Sequence, residues 1–228
     1  TPWWAVIVGS AVVLRGSLTL PVFIYQQRAM ARAQRLGRVS AAWQHSMRAS
    51  LRLETADKSL TPMQFQALLE QRVRRKHHEL LLKQGSHPIM NFLLPLAQLP
   101  IWVSMTYVLR HLCGVPLPYF DTVGSSVDVA PAMAHEGILW FSDLTVADPT
   151  FVLPAITGAL YLANAVVARR SAAKFMRRGP PTTMSRVIDV VAFGSPVLMT
   201  YIAAGQPVAI VLYWAVSAAF SLVQNLVF

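Results

Sequence analysis

Arg15 carries the strongest chemical demand in this chain. It lies within Trp3–Tyr25, an apolar run that holds no other charged residue. A guanidinium keeps its proton at any accessible pH, and burying it in hydrocarbon costs roughly 2.5–3.5 kcal/mol on insertion scales. It persists there only when it faces protein, water or a charged client. What it offers is attraction for an anion in a medium of low dielectric, not bond-making. Catalytic patterns are missing elsewhere. His77-His78-Glu79 is like part of a metalloprotease motif, but Leu82 stands where the second histidine belongs. The histidines fall in loops or in the polar segment after the first run, so none can pair with Ser195 within an apolar stretch. The single cysteine, Cys113, excludes an internal disulfide framework and argues against a thiolate metal site. No catalytic residue, metal or cofactor is assigned.

The elements that must position Arg15 are membrane helices. The chain is 54% hydrophobic and only 13% charged, against about 25% charged in soluble proteins. Five stretches have the length of a spanning helix: 3–25, 89–109, 151–168, 187–204 and 208–228. Their apolar residues run continuously, which argues against a strand barrel. The expected fold is an all-α membrane protein with five transmembrane helices.

The net charge of +10 is distributed by loop. Residues 26–87 carry 12 Lys/Arg and 4 Asp/Glu, and residues 169–186 carry 6 Lys/Arg and no acid. Residues 111–150 carry 5 acids and no Lys/Arg. The positive-inside rule then places 26–87 and 169–186 inside and 111–150 outside. The N-terminus is outside and the C-terminus inside. Basic charge that alternates this way is a topology signal, and no nucleic-acid partner is expected. The chain starts at Thr1 without an initiator Met, which reads as a processed or trimmed form.

The inner segment 26–87 is polar yet periodic. Leu36, Val39, Trp43, Met47 and Leu51 form one helical stripe, and Phe65, Leu69, Val73, His77 and Leu80 a second. A turn at 57–62, with Thr61 as N-cap and Pro62 in the first helical position, makes them an antiparallel hairpin. In the outer loop, Gly137–Leu144 includes the pair Trp140-Phe141 and reads as an interfacial segment. Asp148-Pro149 opens the third span, and Gly205-Gln206-Pro207 joins the fourth and fifth in a tight hairpin. Pro95, Pro100 and Pro196 fall within spans and kink them.

In this orientation Arg15 and Gln98 lie near mid-membrane and Asn164 in the inner half. Asp189, Gln224 and Asn225 lie toward the inner ends, whereas hydroxyls such as Ser10, Thr106 and Thr200 occupy the outer halves. A water-filled cavity open to the inside would serve this bias. The plainer alternatives are that the amides tie helices together and that Arg15 pairs with Asp189.

The chain resembles the YidC/Oxa family of membrane-protein insertases along almost its whole length. The likeness rests on Arg15-Gly16-Ser17-Leu18-Thr19-Leu20-Pro21 with Gln26-Gln27, and on Pro95-Leu96-Ala97-Gln98-Leu99-Pro100-Ile101-Trp102. It continues in Leu139–Leu144 with Asp148-Pro149 and Leu153-Pro154, and in Leu212-Tyr213-Trp214-Ala215-Val216-Ser217 with Gln224. The resemblance implies a five-span fold, an inner-side helical hairpin and a hydrophilic groove open to the inner compartment and to lipid. Arg15 matches the groove arginine, with Gln98, Asn164 and Gln224 as the other groove residues. Faces of the third and fifth spans would guide the client helix. His87-Pro88, Arg110 and Gly137–Phe141 look most like the mitochondrial cytochrome c oxidase assembly branch. That branch exports the C-terminal tail of oxidase subunit II. The implied partners are this hydrophobic client, the lipid bilayer and assembly factors. The implied location is the mitochondrial inner membrane, N-terminus in the intermembrane space and C-terminus in the matrix. The alternatives are a bacterial-type general insertase and an oxidase assembly scaffold that moves nothing. The chain departs from the family pattern at Gly37-Arg38, where Pro is frequent, and at Ala218-Ala219, where Asn is common.

Overall fold

The computed structural model describes residues 1–56, 61–83, 90–115, 130–175 and 183–227, and the described residues are helical with isolated bridges but no strands. The helices are α1 (Trp3–Leu14), α2 (Leu20–Glu54), α3 (Pro62–Lys83), α4 (Met90–Leu112), α5 (Val152–Phe175), α6 (Thr183–Ala204) and α7 (Val208–Val227). A π-helical turn, Arg15–Thr19, joins α1 to α2. Among the described residues four helical segments are long and apolar enough to cross a membrane: Trp3–Ala29, Val152–Ser171, Arg186–Ala204 and Val208–Val227. The remaining expected span, 89–109, falls on α4, where the side chains of 91–98 lie outside the described residues.

Helix boundaries differ from the hydropathy reading in an instructive way. The stretches 151–168 and 187–204 are parts of helices of 24 and 22 residues. The extra turns carry Arg169, Arg170 and Arg186, which hydropathy excludes but which are good helix formers. The first span likewise does not stop at Tyr25, because α2 continues unbroken to Glu54. Gly37 alone costs about 1 kcal/mol and does not end a helix of that length.

The chain forms two compact units, Thr1–Pro21 with Gln98–Phe228, and Val22–Ala97. The second unit holds most of α2, all of α3 and the first turns of α4. Thr61 and Gln64 close a reciprocal capping box at the start of α3: Gln64 N–H donates to Thr61 Oγ1 and Thr61 N–H to Gln64 Oε1. Leu51 and Leu69 are buried. Trp43, Met47, Val73, His77 and Leu80 line one small pocket, so the two stripes do meet. Lys76 Nζ sits 5.9 Å from the centre of the Trp43 ring, and Arg72 pairs with Glu54. The turn at 57–60 lies outside the described residues.

In the first unit α7 is the central helix, buried along Val208–Val211, Tyr213–Ala215 and Ser217-Ala218. It packs on α5 and α1, while α6 packs on α5. Outward faces are apolar: Val190, Val197 and Tyr201 of α6 are 73%, 72% and 80% exposed, a surface suited to lipid rather than water. Gly158 permits the contact of α5 with α6, since a Cβ there would sit 1.9 Å from Thr200 Oγ1. That hydroxyl is itself held, donating to Pro196 O at 2.8 Å.

The loop before α5 caps the bundle. Val208 N–H donates to Val146 O (2.8 Å) and Ala209 N–H to Leu144 O (3.0 Å), which satisfies donors at the start of α7. Met133 and Leu144 are fully buried beneath this loop. Gly137 begins a tight turn closed by Ile138 N–H donating to Phe141 O at 2.8 Å. A side chain at Gly137 would collide with Phe141 O. Asp148 caps α5. Its carboxylate accepts from Thr150 N–H and Oγ1–H, from Leu153 N–H at 2.8 Å and from Trp140 Nε1–H. Burial pushes the Asp148 carboxyl upward, but these hydrogen bonds outweigh it and hold the group below the ordinary aspartate range.

Two outcomes test this architecture. Gly158→Val should drive α5 and α6 apart and destabilise the protein by about 1–3 kcal/mol; thermal unfolding in detergent measures it, and Thr200→Ala should recover part of the loss. For Asp148, a depressed folded value means its stabilisation is complete above the unfolded value of about 3.9 and fades as pH falls through the folded value. Unfolding temperatures between pH 5 and pH 2.5 should therefore drop more steeply for the wild type than for Asp148→Asn.

Candidate functional site

Arg15 begins the π-turn and is half-buried. Its pocket is lined by Leu14, Thr19, Ile101, Trp102 and Tyr213, drawn from the α1–α2 junction, α4 and α7. The open space is about 10 Å³, which is room for about one water. Trp102 stacks on Trp214 with ring centres 5.5 Å apart, and Trp214 Nε1–H donates to Thr106 Oγ1 at 3.2 Å. One wall of the pocket is therefore a pinned aromatic pair. Tyr213 and Tyr161 both lie within electrostatic reach of the guanidinium. Among the described residues no carboxylate lies within ion-pair distance of Arg15. Phenols are neutral neighbours and leave the charge of Arg15 uncancelled among the described residues.

Asp189 does not fill that role. Its carboxylate accepts from Arg169 at 2.8 Å, where the C-terminal part of α5 meets the first turns of α6. The plainer alternative in which Arg15 pairs with Asp189 is therefore not the arrangement seen. Arg169 follows the apolar run of α5 directly and reaches the neighbouring antiparallel helix, whereas Arg15 would have to reach across several ångströms of depth.

The amides divide in the same manner. Asn164 Nδ2 donates to Leu160 O one turn back and to Ala218 O on α7, both at 2.9 Å. Asn225 Nδ2 donates to Asn164 Oδ1 at 2.9 Å. The hydrogen-bonding capacity of Asn164 is committed to holding α5 against α7. Gln224 is buried, and its Nε2 has no partner among the described residues. The side chain of Gln98 lies outside the described residues. The outer hydroxyls serve their own backbones at Ser10 (to Ile7 O, 2.9 Å) and Thr200, whereas Thr106 binds Trp214.

Sequence reasoning missed Thr19, Trp102, Tyr161 and Tyr213 as neighbours of Arg15. Tyr161 falls three residues before Asn164 and Tyr213 eleven before Gln224. Those spacings put each on or near the polar face of its helix, but a tyrosine in an apolar run passes as packing. Cys113 is buried, and burial, then the Asp143 charge, push its thiol up to about 11. It is a poor nucleophile at neutral pH.

Several apolar helices around a cation with no carboxylate beside it among the described residues define a multi-span membrane protein with a polar site in its bundle. The sequence profile of the family described as 60Kd inner membrane protein matches residues 1–228, and the chain belongs to this YidC/Oxa family. The human protein "Cytochrome c oxidase assembly protein COX18, mitochondrial" is 30% identical over 225 residues, covering 99% of this chain and 64% of the human one. The Schizosaccharomyces pombe protein of the same name is 30% identical, covering 98% of this chain and 91% of its own length. "Mitochondrial inner membrane protein OXA1L" of Mus musculus is 28% identical, covering 98% of this chain and 44% of the mouse one. The chain thus spans under two thirds of the human relative's length.

The tie between α5 and α7 makes its own prediction. Asn164→Ala and Asn225→Ala should each lower stability by about 0.6–2 kcal/mol, the range for interhelical hydrogen bonds in membranes. The double variant should cost less than the sum, read as a coupling energy from thermal unfolding in detergent.

Proposed function

We propose that this protein is a membrane-protein insertase or translocase of the mitochondrial inner membrane. It moves an acidic or polar client tail across the bilayer by way of Arg15. The observation that carries this reading is a half-buried guanidinium, inside a membrane-length helical segment, with no carboxylate beside it among the described residues. A cation placed only for structure would be neutralised, as Arg169 is by Asp189. A cation left open on aromatic and apolar walls attracts an anionic group that arrives later, and that attraction is strong where water is scarce.

The remaining features follow from this reading. The helix over Met90–Leu112 is the fifth span, and the bundle presents a hydrophilic groove to the inner compartment and to lipid. The loop charges set the N-terminus in the intermembrane space and the C-terminus in the matrix. Gln98 and Gln224 join Arg15 in the groove, while Asn164 positions α5. Apolar faces of α5 and α7 guide the client helix into lipid. The relatives named for cytochrome c oxidase assembly support an oxidase subunit as client; the C-terminal tail of subunit II is the client that the resemblance to the assembly branch implies. No bound energy source is required: moving one negative charge outward across a 100 mV potential releases about 2.3 kcal/mol.

The test is transfer of a client with an acidic tail into sealed vesicles, read by protease protection. Arg15→Ala should lower transfer by on the order of tenfold, about 1.4 kcal/mol of lost attraction, and Arg15→Lys should retain part of it. A client whose tail acids are replaced by amides should be far less sensitive to either change. Full transfer of the acidic client by a folded Arg15→Ala protein would instead favour a scaffold that holds oxidase subunits without moving them. Equal transfer of unrelated clients would favour a general insertase of the bacterial kind.

A further inference from the structure

The helix that carries Arg15 is irregular at that residue. Up to Arg15 the ladder has ordinary spacing, with Arg15 N–H donating to Ala11 O and Val12 O. After it, Leu20 N–H reaches back five residues to Arg15 O, which is the π pattern. The same carbonyl accepts a second hydrogen bond from Thr19 Oγ1 at 2.8 Å. Thr19 is buried at 4% exposure and lines the Arg15 pocket.

The geometry explains why a widened turn is useful at this point. Ile7 and Ala11 are buried, Arg15 is half-buried and Thr19 is buried, at steps of four residues. In a regular α-helix each such step drifts by about 40°, because about 3.6 residues make a turn. Three steps would carry Thr19 about 120° away from the face on which Ile7 lies. The π-turn holds more residues and takes back part of that drift. Arg15 and Thr19 are thereby kept beside Trp102 and Tyr213 instead of rotating toward lipid. The Thr19 hydroxyl adds its hydrogen bond to the Arg15 carbonyl that already accepts Leu20 N–H, and so ties the two ends of the widened turn together.

We propose that Thr19, by closing the π-turn through the carbonyl of Arg15, is the residue that aims the Arg15 guanidinium at an anionic client group. Thr19 acts through Arg15 and is a positioning residue. The inference rests on the reading of Arg15 as client-facing, and the two can fail separately.

The experiment uses the whole chain in sealed vesicles and a pair of clients that differ only in having acidic or amide tails. The readout is the ratio of acidic-tail to amide-tail transfer. Thr19→Val keeps the shape and removes the donor, and Thr19→Ser keeps the donor. Thr19→Val should lower the ratio by on the order of tenfold, close to Arg15→Ala, and Thr19→Ser should restore it. A second readout is thiol labelling of Arg15→Cys from the aqueous side, whose rate should change at least about threefold when Thr19→Val is added, as a turn re-registered by one residue rotates that side chain by about 100°. Should Arg15→Ala lose the ratio while Thr19→Val keeps it, or should labelling stay unchanged, the positioning role is overturned and the reading of Arg15 stands. If Thr19→Val depresses both clients equally, the hydroxyl is merely structural and the proposal is overturned as well. Unimpaired selectivity in Arg15→Ala would remove both.

Discussion

A charge that cannot be discharged, set inside a helical segment long and apolar enough to cross a membrane, is the constraint around which this protein is organised. Lysine or a carboxylate could shed the difficulty by changing protonation; arginine cannot. The surroundings must therefore make the cation tolerable without cancelling it. Two phenols, a pinned indole pair and a pocket with room for about one water are a middle course. A carboxylate neighbour would be more stabilising locally, but it would cancel the charge, and with it the client attraction proposed for Arg15.

The other polar groups show how differently a membrane bundle treats residues whose task is cohesion. Asp189 has its arginine on the neighbouring helix, and Asn164 spends both amide groups on α7 and its own turn. Ser10 and Thr200 fold back on their own carbonyls. Each forms its bonds within the protein, as the absence of competing water demands. Against that background Arg15, and to a lesser degree the buried Nε2 of Gln224, stand apart.

Much of the helical layout was legible because hydrocarbon imposes a simple length and composition rule. The capping box at Thr61 and the Asp148 cap were also written locally, in side chains that serve backbone within a few residues. What escaped the sequence depended on register and on neighbours. Arg169 and Arg186 ended the hydropathy windows but not the helices, since a cation at a span's end is still a good helix former. The π-turn has no composition of its own: Arg-Gly-Ser-Leu-Thr would serve equally in a regular turn. Tyr161 and Tyr213 carry no local sign of being neighbours of Arg15, because that proximity arises only when three helices bring them together. The partner of Asp189 could not be read from the sequence, because the bond is made between two helices whose pairing the sequence leaves open.

The contact at Gly158 has a bearing on traffic through the bundle. Where the backbone of α5 meets a threonine that is itself fastened to α6, no acyl chain can lodge between the two helices. At that level the seam between α5 and α6 is shut. Any parting of the bundle at that level has to open along another boundary.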